Sequence, residues 1–345
     1  MRKIPSLFVT ASKKQTSFTH RLRPARALLA AWLLSSCSGV QSVLDPHGQQ
    51  AHVIAQLSWL MFWSAAAILL VVMALALYAI YRAPGKRPAL AENTLIVAGG
   101  VVLPVVALTA LLVYGVVSMG SLRAPPPKIA AQIDVVANRW WWDVHYRDEN
   151  GRSVTTANEI RIPAGMPVML TLRTHDVIHS FWVPNLAGKI DLIPGRANQL
   201  VLQADKPGLF RGQCAEFCGA QHARMAFHVI AETPDAYATW LERQGAPAKA
   251  PNSALLLRGQ SAFLANCISC HTVRGVGAAH ERGPDLTHGA SRKFLAAGTL
   301  VNNRDNLLAF IAKSQQIKPG SGMPSHEHLG PDSLQAIASY LESLD

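Results

Sequence analysis

Two cysteines four residues apart, Cys214 and Cys218, are followed closely by His222 and Met225. Thiolate, imidazole and thioether groups are soft or borderline metal ligands, and they suit copper better than magnesium, calcium or manganese. The cysteines alone are also compatible with a disulfide or with two buried thiols. Because a histidine and a methionine lie nearby, the stretch predicts a copper site.

A second pair of cysteines has the spacing of covalent haem attachment. Cys267, Cys270 and His271 form a C-x-x-C-H pattern. Two thiols at this spacing can bond to the vinyl groups of haem, and the adjacent histidine takes one axial face of the iron. A bare C-x-x-C pattern would be a weak signal, but the adjacent histidine makes c-type haem the specific prediction.

The second axial ligand must come from elsewhere in the C-terminal region. Met323 is the only methionine after Met225, and it lies in a loop rich in glycine and proline. A thioether ligand raises the haem potential, which suits electron transfer. His326 or His328 could bind the iron instead. The segment around Pro284 resembles the cytochrome c segment whose proline carbonyl holds the iron-binding histidine.

Positive charge is concentrated at the N-terminal end. The 345-residue chain has a formal net charge of +11, but residues 1–37 carry seven lysines and arginines and no acidic residue. A basic start, a short apolar run and small residues indicate a secretory signal. Its Leu-Ser-Ser-Cys ending resembles a bacterial lipoprotein cleavage box, with Cys37 as the lipidated residue, although an ordinary signal remains the alternative. Nucleic-acid binding has no support.

Two long apolar stretches predict a helical membrane hairpin over residues 38–120. Residues 57–80 and 94–117 carry no charged side chain, and each is long enough to cross the ~30 Å hydrocarbon core of a bilayer. The loop between them is basic, whereas residues 38–56 contain no lysine or arginine. The positive-inside rule therefore places the loop in the cytoplasm and both chain ends outside. Pro104 lies inside the second stretch, where a kink is tolerable if neighbours satisfy the freed carbonyl.

The remaining chain divides into two further domains and a linker. Residues 121–244 contain short runs of strand-forming residues separated by turn signals, which predicts a β-sandwich or barrel. A short helix over residues 236–243 closes this domain. Residues 245–252, rich in alanine and proline, are predicted to be a linker, and residues 253–345 a small, all-α cytochrome c domain. The protein is thus expected to be a multi-domain membrane protein.

One pattern upstream of the copper stretch is specific to a family. Asp176-Val177-Ile178-His179-Ser180-Phe181, then Pro194-Gly195-Arg196 and the cysteine stretch, resemble subunit II of cytochrome c oxidase. The order of hairpin, β domain and cytochrome c domain is similar to the bacterial caa3-type oxidases, whose subunit II carries its own haem. The resemblance implies a cupredoxin-like Greek-key fold with the binuclear copper centre CuA.

The resemblance also implies a ligand set. It comprises two bridging thiolates, two imidazoles, a weak thioether and a backbone carbonyl. In that order these are Cys214 and Cys218, His179 and His222, Met225, and Glu216. His175 is a rival upstream ligand, but only His179 matches the Asp-x-x-His-Ser-Phe pattern. The side chain of Glu216 is further implied to help hold Mg²⁺ or Mn²⁺ at the interface with subunit I.

Residues 138–146 are predicted to form an aromatic strand. In the family, an exposed tryptophan of this stretch receives electrons on their way to CuA, and Trp140 is at the matching position. The alternative is strand packing, in which alternation would put Trp140 and Trp142 on one face. A family glutamate that serves proton uptake at the start of the second helix has no clear match. Glu92 lies just before that predicted helix, so a proton role here is in doubt.

The implied function is electron input into a haem–copper oxidase. Electrons would pass from an external donor, such as cytochrome c or a cytochrome bc complex, to haem c, to CuA and on to haem a of subunit I. Oxygen would be reduced to water there, coupled to proton pumping, and subunit III would be a further partner. The implied location is the bacterial plasma membrane, with both redox domains on the periplasmic or outer face.

Three other kinds of protein share parts of this pattern. A membrane-tethered copper chaperone or thiol-redox protein could also use Cys-x-x-x-Cys, but it predicts a βαβ pattern around the cysteines. A quinol oxidase subunit would lack the copper ligands. Nitrous oxide reductase shares the CuA motif but has a large additional catalytic domain. The chain alone is not expected to reduce oxygen.

Overall fold

The structure is a computed structural model. It describes residues 38–82, 92–123, 128–147, 153–277 and 282–345. The predictions for the N-terminal signal and for Cys37 lie outside these ranges, as does the basic loop between the two predicted membrane helices. The cupredoxin-like and cytochrome c regions belong to one compact unit that begins at Val40.

Two helical segments are long and apolar enough to cross a membrane, Gln49–Tyr81 and Ala98–Gly120. Helix α1 is Gln49–Tyr81, which begins before the predicted residue 57. Its first turns are polar and pack on the β domain: the Gln50 amide donates to the carbonyl of Val201 at 3.1 Å, and Ala51 is buried. Hydropathy alone could not indicate this extension, because tertiary contacts stabilise it.

The second apolar segment is interrupted near its proline. Helix α2 (Glu92–Val97) continues through a π-helical turn, Ala98–Val102, into helix α3, Leu103–Arg123. Pro104 has no N–H for an ordinary helical hydrogen bond, and Leu103 N–H instead bonds back to the carbonyl of Ala98. The helix next to Pro104 thus contains a π turn.

The β domain is a sandwich of two five-stranded sheets. In chain order its strands are β1 (Ala131–Asn138), β2 (Trp141–Arg147), β3 (Ser153–Ala157), β4 (Glu159–Pro163), β5 (Val168–Thr174), β6 (His179–Trp182), β7 (Ile190–Leu192), β8 (Asn198–Leu202), β9 (Gly208–Cys214) and β10 (Ala226–Glu232). One sheet has the order β3-β2-β1-β5-β8 and the other β4-β10-β9-β6-β7. Neighbouring strands are antiparallel except β1 with β5 and β10 with β4.

An aromatic cluster fills the centre of the sandwich beneath the cysteine stretch. Trp142, Phe181 and Phe227 are fully buried. The Phe181 and Phe227 rings stack with centroids 4.5 Å apart, and the Trp142 ring meets Phe227 at 4.9 Å. Large buried rings contribute strongly to core stability. This core therefore holds the strands that carry the predicted ligands in fixed positions.

Helix α4, Pro234–Gly245, closes the sandwich. It is longer than the predicted 236–243 because it starts with proline in the first turn, where the missing N–H costs nothing. Thr233 is at the N-cap position, but its side chain makes no capping hydrogen bond. The Trp240 ring packs on Tyr146 at 5.1 Å.

The described residues of the C-terminal domain form helices and one small ribbon. Its helices are α5 (Ala254–Asn266), α6 (Arg304–Ala312), α7 (Ser314–Ile317) and α8 (Gly330–Glu342), and its ribbon pairs β11 (Phe294–Leu295) with β12 (Leu300–Val301). Helices α5 and α8 cross at Gly259, where an added Cβ would lie 2.0 Å from the carbonyl oxygen of Ala336. Only glycine allows this close approach.

Residues of the predicted linker contact the cytochrome c domain. Ala248 N–H donates to the carbonyl of Arg274 at 3.0 Å. The ring of His288 lies 3.0 Å from the carbonyl of Ala246, and the Arg274 guanidinium also bonds to that carbonyl. The segment that joins the two domains is therefore held by hydrogen bonds.

Candidate metal and haem sites

The sandwich brings the two cysteines and two histidines together. Pairing of β6 with β9 places His179 beside Cys214, and their Nδ1 and Sγ atoms are 3.7 Å apart. The two sulfurs, Cys214 Sγ and Cys218 Sγ, are also 3.7 Å apart. On the other side, His222 Nδ1 lies 3.6 Å from Cys218 Sγ. Each sulfur therefore has one imidazole nitrogen beside it.

The other two predicted donors complete the cluster. Met225 Sδ lies 3.8 Å from Cys218 Sγ, and the Glu216 carbonyl oxygen lies 3.2 Å from Cys214 Sγ. Met225 is fully buried, whereas the Glu216 side chain is exposed. The structure thus brings all six sequence-predicted residues to one place.

Among the described residues, the rival upstream histidine, His175, is not part of this cluster. His175 is exposed, whereas His179 has no accessible surface. The Asp-x-x-His-Ser-Phe pattern had favoured His179, and its position beside Cys214 agrees with that choice.

The electrostatics of the cysteine pair favour a bound cation. Hydrogen bonding with Cys218 holds the pKa of Cys214 well below its ordinary value, and His179 adds to this effect. The same pairing, together with burial, raises the pKa of Cys218 well above its ordinary value. One thiolate is therefore readily formed and the second is strongly disfavoured. Metal ligation requires deprotonated cysteine. The positive charge of a bound metal would stabilise the second thiolate beside the first.

A carboxylate fixes the orientation of the buried histidine. Asp176 Oδ1 lies 2.8 Å from His179 Nε2, which leaves Nδ1 facing Cys214. Asp176 also accepts backbone N–H groups of Val177 and Arg139 at 2.7 and 2.8 Å. Burial opposes its charge, but these hydrogen bonds lower the pKa of Asp176. Such partners set the tautomer of metal-binding histidines. Sequence reasoning used Asp176 only to recognise the pattern and missed this role.

Burial also acts on the histidine itself. Burial alone would lower the pKa of His179, but its hydrogen bonds to Cys214 and Asp176 together raise it. The ring is thus polarised between an anion-forming sulfur and a carboxylate. A metal at Nδ1 would take the place of a proton there, as histidine ligation requires.

The prediction that Trp140 lies on a strand is wrong. β1 and β2 pair Asn138 with Trp141, so Arg139 and Trp140 form the turn between them. The indole N–H of Trp140 donates to the carbonyl of Cys218 at 2.9 Å. Its ring lies so close to Gly219 that an added Cβ there would be 2.9 Å from Trp140 Cζ2. Trp140 is half-buried and hydrogen-bonded directly to the copper stretch.

The haem-attachment motif follows helix α5 in a tight turn. Cys270 N–H and His271 N–H both bond to the carbonyl of Cys267, at 3.1 and 3.0 Å. His271 Nδ1 lies 2.9 Å from the carbonyl of Pro284, which confirms the proline contact expected from the sequence. This contact makes Nδ1 the donor and leaves Nε2 for iron. Burial lowers the pKa of His271, which favours the neutral, ligating form.

The loop with Met323 is anchored by side chains of helix α7. The Met323 carbonyl accepts hydrogen bonds from Ser314 Oγ at 2.8 Å and Gln315 Nε2 at 2.6 Å. Of the two alternative ligands, His328 is exposed, while His326 is buried and its Nδ1 has no hydrogen-bond partner within the described ranges. The anchored loop gives Met323 a fixed backbone, and its ligand role stays a prediction.

The donor sets suit the two expected groups. A shared pair of sulfurs with flanking imidazoles and a thioether is a soft set of the kind that copper prefers. The C-x-x-C-H turn with a free Nε2 is the set that c-type haem requires. The molecule is therefore a membrane protein that combines a cupredoxin-like domain with a cytochrome c domain.

Comparison with known proteins identifies the family. Residues 143–232 match the family model "Cytochrome C oxidase subunit II, periplasmic domain", and residues 256–345 match "Cytochrome c". Cytochrome c oxidase subunit 2 of Alkalihalophilus pseudofirmus is 36% identical over 325 residues, covering 90% of this chain and 93% of the relative. The chain belongs to the cytochrome c oxidase subunit II family, in its form with a fused cytochrome c domain.

Two further similar proteins also carry the name of subunit II of cytochrome oxidase. Cytochrome c oxidase subunit 2 of Bacillus sp. strain PS3 is 31% identical over 223 residues, covering 61% of this chain and 62% of the relative. The crystal structure of the periplasmic domain of subunit II (CoxB) of Bradyrhizobium japonicum is 30% identical, covers 34% of this chain and 95% of that chain, and superposes with a TM-score of 0.32.

Proposed function

We propose that this chain is the electron-input subunit of a bacterial haem–copper oxidase. It accepts electrons from an external donor and delivers them to subunit I, where oxygen is reduced to water and protons are pumped. The observation that supports this most directly is the paired arrangement of Cys214 and Cys218, each with one imidazole nitrogen within 3.7 Å. Such a set of donors would hold a pair of copper ions.

The proposed ligands are those implied by the family resemblance, and the contacts described above support them. Copper would be held by His179, Cys214, Glu216 through its carbonyl, Cys218, His222 and Met225. The haem would be held by Cys267, Cys270, His271 and Met323. When bound, a copper pair and a haem c each supply a one-electron carrier.

The chain's own residues keep these carriers in a fixed environment. His179, Cys214, Cys218 and Met225 are each at most 4% exposed. Their backbones belong to or flank strands of a packed sandwich, and Asp176 holds the ring of His179. Ligands that are preorganised in this way change little between redox states. The site is thus suited to conduct electrons without transforming a substrate.

Glu216 has two separate roles in the proposal. Its carbonyl faces Cys214, while its side chain is exposed at the surface. An exposed carboxylate next to the copper ligands is available to bind Mg²⁺ or Mn²⁺, which are oxygen-preferring ions. We place this shared ion at the contact with subunit I.

The topology proposed for the membrane puts both redox domains on the periplasmic side, with the loop between the helices in the cytoplasm. Subunits I and III surround the helices, and cytochrome c or a cytochrome bc complex is the donor. Exposed apolar side chains cover both helices, for example Leu70 at 70% and Val117 at 68% exposure. Such surfaces suit lipid or neighbouring membrane helices.

The thiol-redox alternative has less support. It required a βαβ arrangement around the cysteines, whereas Cys214 ends β9 of an all-β sandwich and Cys218 lies in the following loop. Met225 and the Glu216 carbonyl beside the cysteines, and the fused haem domain, also argue against that alternative.

Donor oxidation by the separated chain and by the whole complex tests the proposal. Reduced cytochrome c should reduce the haem of the purified full-length chain without oxygen consumption. The complex with subunit I should consume oxygen under the same conditions. Oxygen consumption by the chain alone, or a complex whose turnover is indifferent to loss of this chain, would contradict the proposal.

A further inference from the structure

A buried lysine lies where the two redox domains meet. Lys318 follows helix α7 of the cytochrome c domain and is only 4% exposed. Its ammonium donates to the carbonyls of Trp140 at 2.8 Å, Arg224 at 3.2 Å and Ala296 at 3.4 Å. Lysine is almost never fully buried unless its charge is compensated. Here the compensation comes from three carbonyl oxygens that converge on one cation.

Two of these carbonyls belong to the copper side of the contact. Arg224 directly precedes Met225, and Trp140 donates its indole N–H to the carbonyl of Cys218. A chain of direct hydrogen bonds therefore runs from Lys318 through Trp140 to Cys218. The third carbonyl, that of Ala296, comes from the turn of the β11–β12 ribbon in the lysine's own domain.

The residues beside Lys318 strengthen the same contact. The Gln221 amide donates to the carbonyl of Pro319 at 2.8 Å, and the Arg224 guanidinium donates to the carbonyl of Ile317. Three consecutive residues, 317–319, are thus bound to the loop that carries the copper ligands.

A second contact fixes the orientation of the cytochrome c domain. The buried carboxylate of Glu159, on β4, accepts the backbone N–H groups of Lys293 and Phe294 at 2.6 and 3.0 Å. The Phe294 ring stacks on His228 of β10 with centroids 3.8 Å apart and planes 11° apart. With two separate attachments, the domain has little freedom to rotate about the Lys318 contact.

We propose that Lys318 is the positioning residue that holds the cytochrome c domain against Trp140, so that electrons enter the copper site through a contact made within the chain. This inference rests on the proposed function. It also means that the copper-side surface at Trp140 is covered by the chain's own domain. An external donor protein docks on the cytochrome c domain and not on Trp140.

The test replaces Lys318 in the full-length, cofactor-loaded protein. Lys318→Met keeps the length of the side chain but removes the charge and all three hydrogen bonds. Because the two domains are then less firmly docked at Trp140, we expect intramolecular electron transfer after flash reduction of the haem to slow by about tenfold or more. The copper midpoint potential should fall, because a positive charge near Cys218 is lost. Direct reduction of copper by external cytochrome c should become faster as Trp140 is uncovered.

Lys313→Met is the matched control. Lys313 lies in the same domain but is half exposed and pairs with Glu327 at 3.4 Å on the surface. It should leave the intramolecular rate, the potential and the external reaction unchanged. If Lys318 had only a structural role, a variant with normal copper and haem spectra would also have a normal copper potential.

Two results separate this inference from the function on which it rests. If Lys318→Met has normal spectra and matches Lys313→Met in rate, potential and external reaction, the positioning role is wrong and the function stands. If the wild-type chain shows no haem-to-copper transfer, the proposed function fails. Should Lys318→Met not fold, Lys318→Gln, which retains a donor amide, replaces it. An unchanged rate and potential in that variant would overturn the inference equally.

Discussion

The copper site and the haem site are assembled in opposite ways. The copper ligands come from separate strands and loops, and the pairing of β6 with β9 brings His179 to Cys214 across the sheet. The haem ligands Cys267, Cys270 and His271 are contiguous and form one turn. The first site depends on the whole sandwich, whereas the second depends on a motif and on the covalent bonds it makes.

The hydrophobic cores below the two sites also differ, because the core of the sandwich is larger and more continuous. The sandwich core is a continuous cluster that includes Trp142, Phe181 and Phe227 and reaches Cys214 and Met225. The cytochrome c domain has two small clusters, one around Phe263 and Tyr340 and one around Ile337. Small domains bury too little apolar surface to be very stable alone. We therefore expect the sandwich to fold without copper, whereas the cytochrome c domain needs its haem to complete its core.

Removal of each cysteine pair should therefore have unequal effects on folding. The double variant Cys267→Ala/Cys270→Ala should lose covalent haem, and its C-terminal domain should become rapidly digestible by protease. The matched double variant Cys214→Ala/Cys218→Ala should lose copper but leave the sandwich resistant. Limited proteolysis with mass spectrometry measures both. Equal digestion of the copper-free sandwich and the haem-free domain would show that the two domains do not differ in their dependence on a cofactor.

The helix crossing in the cytochrome c domain gives a second large effect. In Gly259→Ala the new Cβ would lie 2.0 Å from the Ala336 carbonyl, so the two helices must separate. Overpacking of this kind costs about 1–3 kcal/mol and occasionally more. Denaturant unfolding followed by the haem Soret band should show the loss. Ser261→Ala, at an exposed position of the same helix, is the control, and an equal loss there would refute the explanation.

A third prediction concerns the carboxylate behind the copper-binding histidine. Asp176→Asn should lower copper affinity by about 10–100-fold, the usual effect of removing such a partner. Asp205→Asn is closely matched, because Asp205 also lies 2.8 Å from a histidine Nε2, that of the exposed His52. Copper retention against a chelator measures the difference. Similar retention in both variants would show that Asp176 does not support the ligand.

The smallest predicted effect is a pH dependence of the contact between the domains. Burial, followed by the nearby Arg211, lowers the pKa of His228 to about 4. An imidazole released from the contact would titrate near its ordinary value of about 6.5. A depressed histidine pKa stabilises the docked state above that value, and the stabilisation is lost as the pH falls from about 6.5 towards 4. Hydrogen exchange of residues 292–301 should therefore accelerate over this range.

The control for this pH effect must allow for the groups that face His228. Arg211 on β9 and Glu159 on β4 both lie opposite His228 in the sheet. Burial raises the pKa of Glu159, so its protonation on acidification works in the opposite direction. His228→Phe keeps the ring stack on Phe294 and all neighbouring charges. The acid-induced acceleration should be smaller in this variant, and an unchanged pH profile would exclude His228 as its origin.

The sequence was most informative where the chemistry is local. The C-x-x-C-H motif and the Pro284 contact were predicted from short patterns, because neighbouring residues determine them. The length of apolar stretches was enough to locate both membrane helices. His179 was chosen over His175 only by its match to a family pattern, since nothing in the spacing alone distinguishes the two.

Features that depend on distant contacts were missed or wrong. Trp140 was placed on a strand because aromatic residues favour strands, but the pairing of Asn138 with Trp141 forces it into the turn. Helix α1 begins earlier than hydropathy indicated, because its first turn packs on the β domain. Nothing in the sequence distinguishes Lys318 from a surface lysine, and only the meeting of two domains buries it.

Electron paramagnetic resonance of the purified wild-type protein, combined with copper and haem quantification, tests the central claim most directly. The account predicts two coppers and one covalent haem per chain, with a mixed-valence signal whose hyperfine structure arises from two equivalent copper nuclei. A mononuclear copper signal in a protein fully loaded with haem, or haem without copper, would contradict it.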